Sequence, residues 1–302
     1  MTELLVVGAG PAGISAALWA RWFGLEVRVV DAGASPGGQL HRVHFHPRTL
    51  AGIPVGDGPA IAAVMARQLA DAGVAVRGEC TAQRLEPGAR PAVILEGGER
   101  LACQAVLIAT GVRRRRLGVP GEDALEGRGV SFSATRDRAQ LAGRRVLVVG
   151  GGDAAYENAL ILAGAGCRVV LAVRDAPRAR AEFRARVART PAIEVRRGVR
   201  VTAILGTDAV TGVRLAGPEG VADVAVEGVV VKVGVVPNTE WCRDAVACDD
   251  AGHVRAGEHG RTSAPRVWAA GDVTGPALPS VAVAMGQAAA AVADARRALR
   301  ED

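Results

Sequence analysis

The hydrophobic pattern of this 302-residue chain begins with four consecutive apolar residues, Leu4–Val7, closed by a glycine-rich turn. A run that short, bounded by glycines and rich in β-branched residues, predicts a strand buried on both faces. After the turn, apolar residues recur at helical spacing over Ile14–Trp22, and a second buried strand follows at Val27–Val30. The same order of strand, glycine turn, helix and strand returns at Val146–Val149, 150–155, a helix running through Leu162, and Arg168–Val173. Two further buried strands, Ala105–Ala109 and Val267–Ala270, end in Thr110-Gly111 and Gly271-Asp272, and a helix is predicted to begin near Ser280. Alternating strands and helices predict an α/β protein with parallel sheets.

The turns carry the chemistry. Gly8-Ala9-Gly10-Pro11-Ala12-Gly13 gives each glycine a task. Gly8 makes the turn, Gly10 admits a pyrophosphate against the backbone, and Gly13 lets the helix lie close to the strand. Asp31, 23 residues after Gly8, ends the second strand, where a carboxylate can accept hydrogen bonds from a ribose. The second turn, Gly150-Gly151-Gly152-Asp153-Ala154-Ala155, predicts another dinucleotide site through Gly150, Gly152, Asp153, Ala154 and Ala155. At the corresponding strand end the sequence has Arg174, then Arg178 and Arg180, in place of a ribose-binding acid. Guanidinium groups suit the 2′-phosphate of NADPH, with NADH as the alternative. The chain is therefore expected to hold two Rossmann-like dinucleotide-binding domains. At the other strand ends, Asp272 suits the hydroxyls of a ribityl chain, and the helix N-terminus near Ser280 suits an electron-rich ring edge.

Composition narrows the partners. With 49% hydrophobic and 23% charged residues the chain reads as a folded soluble protein. The apolar strand follows Met1-Thr2-Glu3 directly, so no signal peptide is expected, and no apolar stretch is long enough to span a bilayer. A cytoplasmic protein without membrane contact follows. Only one of the 37 basic residues, Lys232, is a lysine, and the net charge is +6. Arg113–Arg116 is the one dense basic run, and with a single Tyr and four Phe no nucleic-acid partner is expected. An acidic protein partner stays open. Five scattered cysteines contain no Cys-x-x-Cys, and no metal site is expected. Cys242 and Cys248 are read as ordinary thiols in preference to a disulfide.

Taken in order, GAGPAG (8–13), GGQL (37–40), ATG (109–111), LGVPGED (117–123), GRGVSF (127–132), VVGGGDAA (148–155), GVVPNTE (234–240), RTSAP (261–265) and AAGDV (269–273) resemble the thioredoxin reductase family of flavoproteins along essentially the whole chain. The resemblance implies an FAD-binding domain in two pieces, 1–112 and 241–302, with an NAD(P)H-binding domain, 113–240, inserted between them. It places FAD against Gly8, Gly10, Pro11, Ala12, Gly13 and Asp31, and it has Gly37, Gly38, Gln39 and Leu40 line the flavin. Thr110 and Gly111 would lie along the cofactor, Gly271 and Asp272 by the ribityl chain, and Val281 by the pyrimidine. A homodimer is also implied.

One departure decides the function. Where that family carries a redox-active Cys-x-x-Cys, this chain has Ser133-Ala134-Thr135-Arg136, followed by Asp137. Neither Ser133 nor Arg136 can carry electrons. The expected activity is therefore an FAD-dependent NAD(P)H oxidoreductase that passes electrons to an unidentified external acceptor. The alternatives are a ferredoxin or flavodoxin NADP reductase, which would use the basic run, and a flavin- or nucleotide-binding redox sensor with little turnover. Arg136 and Asp137 are catalytic candidates, Arg136 as a fixed charge near the flavin, with an Arg136–Asp137 surface ion pair as the rival reading. His41, His44 and His46 follow GGQL and are read as polar lining of the flavin entrance, with His44 as the candidate proton donor.

Overall fold

The computed structural model describes residues 2–47, 49–52 and 56–301. The chain divides into two compact units, one made of residues 1–113 and 236–302, the other of residues 114–235. The two crossings fall within the short strands Val112–Arg114 and Val235–Pro237.

In the first unit a five-stranded parallel sheet has the spatial order Val267–Ala269, Ala105–Ile108, Leu4–Val7, Val27–Val30, Val76–Arg77. Leu4 pairs with Val27 on one side and with Ala105 on the other, so Leu4–Val7 is central and buried on both faces. Side chains alternate across the pleat. Leu4 and Val6 enter a core with the helices Pro11–Trp22, Gly58–Asp71 and Val281–Arg300. Leu5 and Val7 enter a second core, beneath the antiparallel strands Ala82–Glu86, Ala92–Leu95 and Arg100–Ala102. The helix Val281–Arg300 packs on Pro11–Trp22 through Ala284, Ala288, Ala291 and Ala295, whose small side chains permit close approach.

Asp294 lies on the same helix and is 3% exposed. Its carboxylate accepts hydrogen bonds from Trp268 Nε1 at 2.9 Å and from Arg261 Nε at 2.6 Å, and it pairs with Arg297. Burial alone would raise its pKa, yet these donors hold it below the usual carboxylate range.

The second unit repeats the plan. Its parallel sheet runs Ile193–Arg197, Arg168–Val173, Arg145–Val149, Gly228–Val231, Val130–Ser131. Val146 and Val148 face helices, including Asp153–Ala163, while Leu147 and Val149 face the antiparallel strands Arg200–Leu205, Gly212–Gly217 and Gly220–Ala225. The α/β class and both βαβ units are as the pattern predicts. The first helix starts earlier than its apolar period, at Pro11, because proline at the first helical position is pre-set in φ and has no N–H to leave unpaired.

Candidate functional site

Above the C-terminal ends of the first sheet lies a cavity of about 860 Å³. Its floor is the turn after Leu4–Val7. Gly8 adopts φ +108, and a Cβ there would stand 2.3 Å from the Ala109 carbonyl oxygen. At Gly13 a Cβ would meet the Gly8 carbonyl oxygen at 1.7 Å, so the helix rests directly on the turn. Gly10 is different. No atom of the described residues lies within 4 Å of the position its Cβ would take, and Gly10 lines the cavity with Pro11 and Ala12. The turn is thus closed beneath and open above, where a ligand would press against it.

The electrostatics suit an anion. Gly10 caps the helix Pro11–Trp22 without a side-chain bond, and the first turn has no acidic residue. The helix Val281–Arg300, capped by Ser280, also starts at the cavity with no acid in its first turn. Two positive helix ends therefore face one space.

Among the flavin-site candidates, Gly8, Gly10, Pro11, Ala12, Asp31, Gly38, Gln39, Leu40, Thr110, Gly111, Gly271, Asp272 and Val281 line the cavity. Gly13 and Gly37 support it from behind. The Gly37 N–H donates to Ala9 O at 2.8 Å, which seats the GGQL segment on the turn. Asp31 has a second task that its spacing does not reveal. It accepts the Ala9 N–H at 2.5 Å and the Gly33 N–H at 2.6 Å, tying the end of the second strand to the glycine turn. Asp272 reaches the wall from the end of Val267–Ala269, and burial raises its pKa while His253 opposes the rise. A desolvated carboxylate on a cavity wall is poised to accept hydroxyl hydrogen bonds.

The opposite wall is built by long-range bonds that local sequence does not announce. Thr110 Oγ1 donates to Asn238 O at 2.7 Å and Asn238 Nδ2 returns a bond to Thr110 O at 2.8 Å. Gln39 Nε2 donates to Val112 O at 2.5 Å. Cys80 and Trp241 also line the cavity, and the buried Trp241 Nε1 has no hydrogen-bond partner among the described residues. Neither stands out in the motif pattern.

The histidines are more conventional. His41 lines the cavity with Nε2 2.9 Å from Pro36 O, and His46 Nδ1 is 2.8 Å from Gly56 O. His44 is half-buried and is not among the cavity-lining residues, so the proton-donor candidate stands outside this wall.

In the second unit Gly150 adopts φ +143 against the Lys232 carbonyl, while Gly152, like Gly10, has no atom of the described residues within 4 Å of its missing Cβ. Gly152 caps the helix Asp153–Ala163, which carries Ala154 and Ala155 in its first turn. Asp153 is neutralised by Arg180, accepting its N–H and its Nε–H, each at 2.7 Å. One residue beyond Arg174 lies Asp175, to which Arg174 Nε donates at 2.8 Å. The Arg178 N–H donates to Gly151 O at 2.8 Å, which fixes its backbone beside the turn while its side chain is exposed.

The segment in place of a dithiol is a helix start. Ser133 caps Ala134–Leu141, its Oγ accepting the Arg136 N–H at 3.3 Å. Arg136 makes a two-pronged ion pair with Asp137, at 2.7 and 2.8 Å, and Ser131 Oγ donates to the same carboxylate. The Arg136–Asp137 ion pair, one of the two readings of Arg136, is thus present. The basic run is likewise engaged: Arg113 with Asn238 and Glu240, Arg115 with Val235 O, Arg116 with Asp123 and Glu126. All five cysteines are free thiols. Burial pushes Cys242 up to about 12 and Cys103 to about 11, so both are poor nucleophiles. Among the described residues no cluster of three or more His, Cys, Asp or Glu could hold a metal, and no helix is long and apolar enough to cross a membrane.

Residues 2–291 match the family described as pyridine nucleotide-disulphide oxidoreductase. The chain is 34% identical over 297 residues to an alkyl hydroperoxide reductase subunit from Pseudomonas putida, covering 96% of this chain and 56% of that protein. It is 32% identical over 293 residues to an NADH dehydrogenase of Bacillus subtilis, covering 96% of this chain and 57% of that protein. The chain thus spans little more than half the length of these two relatives. A thioredoxin reductase of Listeria monocytogenes is 30% identical, with 99% of this chain and 94% of that protein covered. The thioredoxin reductase structure from Lactococcus lactis superposes with a TM-score of 0.86 at 27% identity, covering 100% of both chains.

Proposed function

Because the chain belongs to the pyridine nucleotide-disulphide oxidoreductase family, whose thioredoxin reductase relatives imply FAD and NAD(P)H binding, we propose that it is an NAD(P)H oxidoreductase that delivers electrons from its flavin directly to an external acceptor. The observation that carries the reading is the pair Ser133 and Arg136. One caps a helix and the other is held by Asp137, and neither side chain can form or break a disulfide.

Bound FAD supplies the hydride acceptor and electron donor, while the protein supplies position and electrostatics. Gly10 and the helix Pro11–Trp22 would receive the pyrophosphate, and Asp272 would accept bonds from the ribityl hydroxyls. The start of Val281–Arg300, at the cavity wall, would face the electron-rich edge of the ring. In the second unit the Gly150–Ala155 turn receives the nicotinamide nucleotide. Arg174 and Arg178 bind the 2′-phosphate of NADPH, with Asp175 occupied by Arg174. The Bacillus subtilis relative is an NADH dehydrogenase, which fits electron delivery from NAD(P)H to an external acceptor. The engagement of Arg113, Arg115 and Arg116 by neighbouring groups weighs against a ferredoxin docking on that run.

Anaerobic reduction with NADPH followed by thiol alkylation in denaturant tests this. The number of alkylated cysteines should equal that of the untreated protein. Two additional thiols after reduction would reveal an internal disulfide and sink the proposal.

A further inference from the structure

Lys232 is the only lysine in the sequence, and it stands at a strand end of the second sheet. It is the first residue beyond the strand Gly228–Val231, which pairs with Arg145–Val149 on the side opposite Arg168–Val173. The connection after Arg145–Val149 leads through the helix Asp153–Ala163 to Arg168–Val173, so the strand order reverses here. Dinucleotides straddle such a point with the pyrophosphate at the turn and the adenosine over the second strand. That strand ends at Arg174. The nicotinamide half therefore falls on the Gly228–Val231 side.

Lys232 is locked to this place. Its N–H donates to Val149 O at 2.8 Å, and its carbonyl oxygen is 2.1 Å from where a Gly150 Cβ would be. Its side chain is half-buried and Nζ donates to Phe132 O at 2.6 Å. Among the described residues no carboxylate lies within ion-pair distance of the ammonium.

We propose that Lys232 is a specificity-determining residue that sets a positive charge beside the nicotinamide, so that the neutral ring of NAD(P)H is bound in preference to the cationic ring of NAD(P)+. The proposal rests on the nucleotide assignment of the Gly150–Ala155 turn. It favours departure of the oxidised product, because two like charges in a half-buried site repel.

The surroundings let this charge titrate. Burial, with Arg114 adding to it, brings the Lys232 pKa down to about 8, and Glu157 on the helix Asp153–Ala163 works in the opposite direction. The other charged groups nearby in sequence or contact are paired: Arg116 over the Phe132 ring with Asp123 and Glu126, Arg136 with Asp137, and Asp153 with Arg180. Below about pH 8 the amine is charged and the discrimination is present; as pH rises through that value it is lost.

The test is equilibrium binding to the oxidised flavoprotein of two probes: NADP+, and tetrahydro-NADPH, whose ring is neutral and cannot donate a hydride. Both carry the same 2′-phosphate, so its titration cancels in their ratio. At about pH 7 the parent should favour the neutral ring roughly tenfold, and by about pH 9.5 the preference should largely vanish. Lys232→Met should show little preference at either pH. Lys232→Arg, whose charge does not titrate, should keep it at both. If the Met variant does not fold, the pH profiles of the parent and the Arg variant decide. A parent that binds both probes with a ratio independent of pH, or a Met variant with the parent's ratio and profile, would overturn this proposal alone. A parent that binds neither probe would overturn the nucleotide assignment, and this proposal with it.

Discussion

Gly10 offers a perturbation that separates the flavin site from the fold. An alanine there meets no atom of the described residues within 4 Å, and the backbone, at φ −76 and ψ −174, is one that any residue adopts. Replacing a helix-capping glycine by alanine costs about 0.5–1 kcal/mol at the cap. The loss of unfolded-chain freedom returns about 0.4–1 kcal/mol, so the net change in apoprotein stability should stay within about 1 kcal/mol. The new methyl instead occupies the space that a pyrophosphate would use. Displacing one charge-assisted N–H contact costs about 1.5–3 kcal/mol, roughly one to two decades in affinity. Gly8→Ala is the contrasting control. At φ +108, with Ala109 O at 2.3 Å, it strains the backbone by about 1–3 kcal/mol before the overlap is counted, and should destabilise apoprotein and holoprotein alike. The assay is FAD reconstitution of stripped protein, followed by visible absorbance, with denaturant melts of each apoprotein. Gly10→Ala apoprotein with parental stability and parental FAD affinity would refute the placement of the pyrophosphate.

Two other outcomes are expected. Asp294→Asn should lower the stability of the first unit by about 1–3 kcal/mol, read from denaturant melts, because charged hydrogen bonds from Arg261 and Arg297 are lost at a buried site. Since the Asp294 pKa is depressed, its contribution is present above about pH 4 and is lost as pH falls through the folded value, so the parent should lose stability in acid more steeply than the Asn variant. Alanine at both Arg174 and Arg178 should raise the Michaelis constant for NADPH by one to two decades while that for NADH moves little, roughly the loss of a charge-assisted phosphate contact; an unchanged NADPH/NADH ratio would remove both residues from the site.

What the sequence discloses and what it hides divide along the range of the interactions. Leu4–Val7 and Arg145–Val149 are legible because burial on both faces leaves an uninterrupted apolar run, and the glycine turns because their spacing is local. The antiparallel strands such as Gly220–Ala225 are not, since that strand is mostly exposed and lacks a clean alternation. Asp294 shows in the sequence only as a break in an alanine-rich stretch, whereas its partner Trp268 is 26 residues away. Lys232 and Phe132 are 100 residues apart, and Thr110 and Asn238 are 128. No local pattern announces such pairs. The ion pair Arg136–Asp137, between neighbours, is foreseeable as one of two readings. Asp175 escapes a reading at fixed spacing because it lies just past the position where the ribose-binding acid is sought.

The central claim is that no internal disulfide stands between the flavin and its acceptor. Anaerobic reductive titration of the purified flavoprotein, followed by flavin absorbance, counts the electrons it stores. The account predicts full bleaching at a single two-electron equivalent per flavin, with no prior or later uptake. Uptake of a second two-electron equivalent, before or after bleaching, would mean that a cysteine pair elsewhere in the protein holds electrons, and would contradict it.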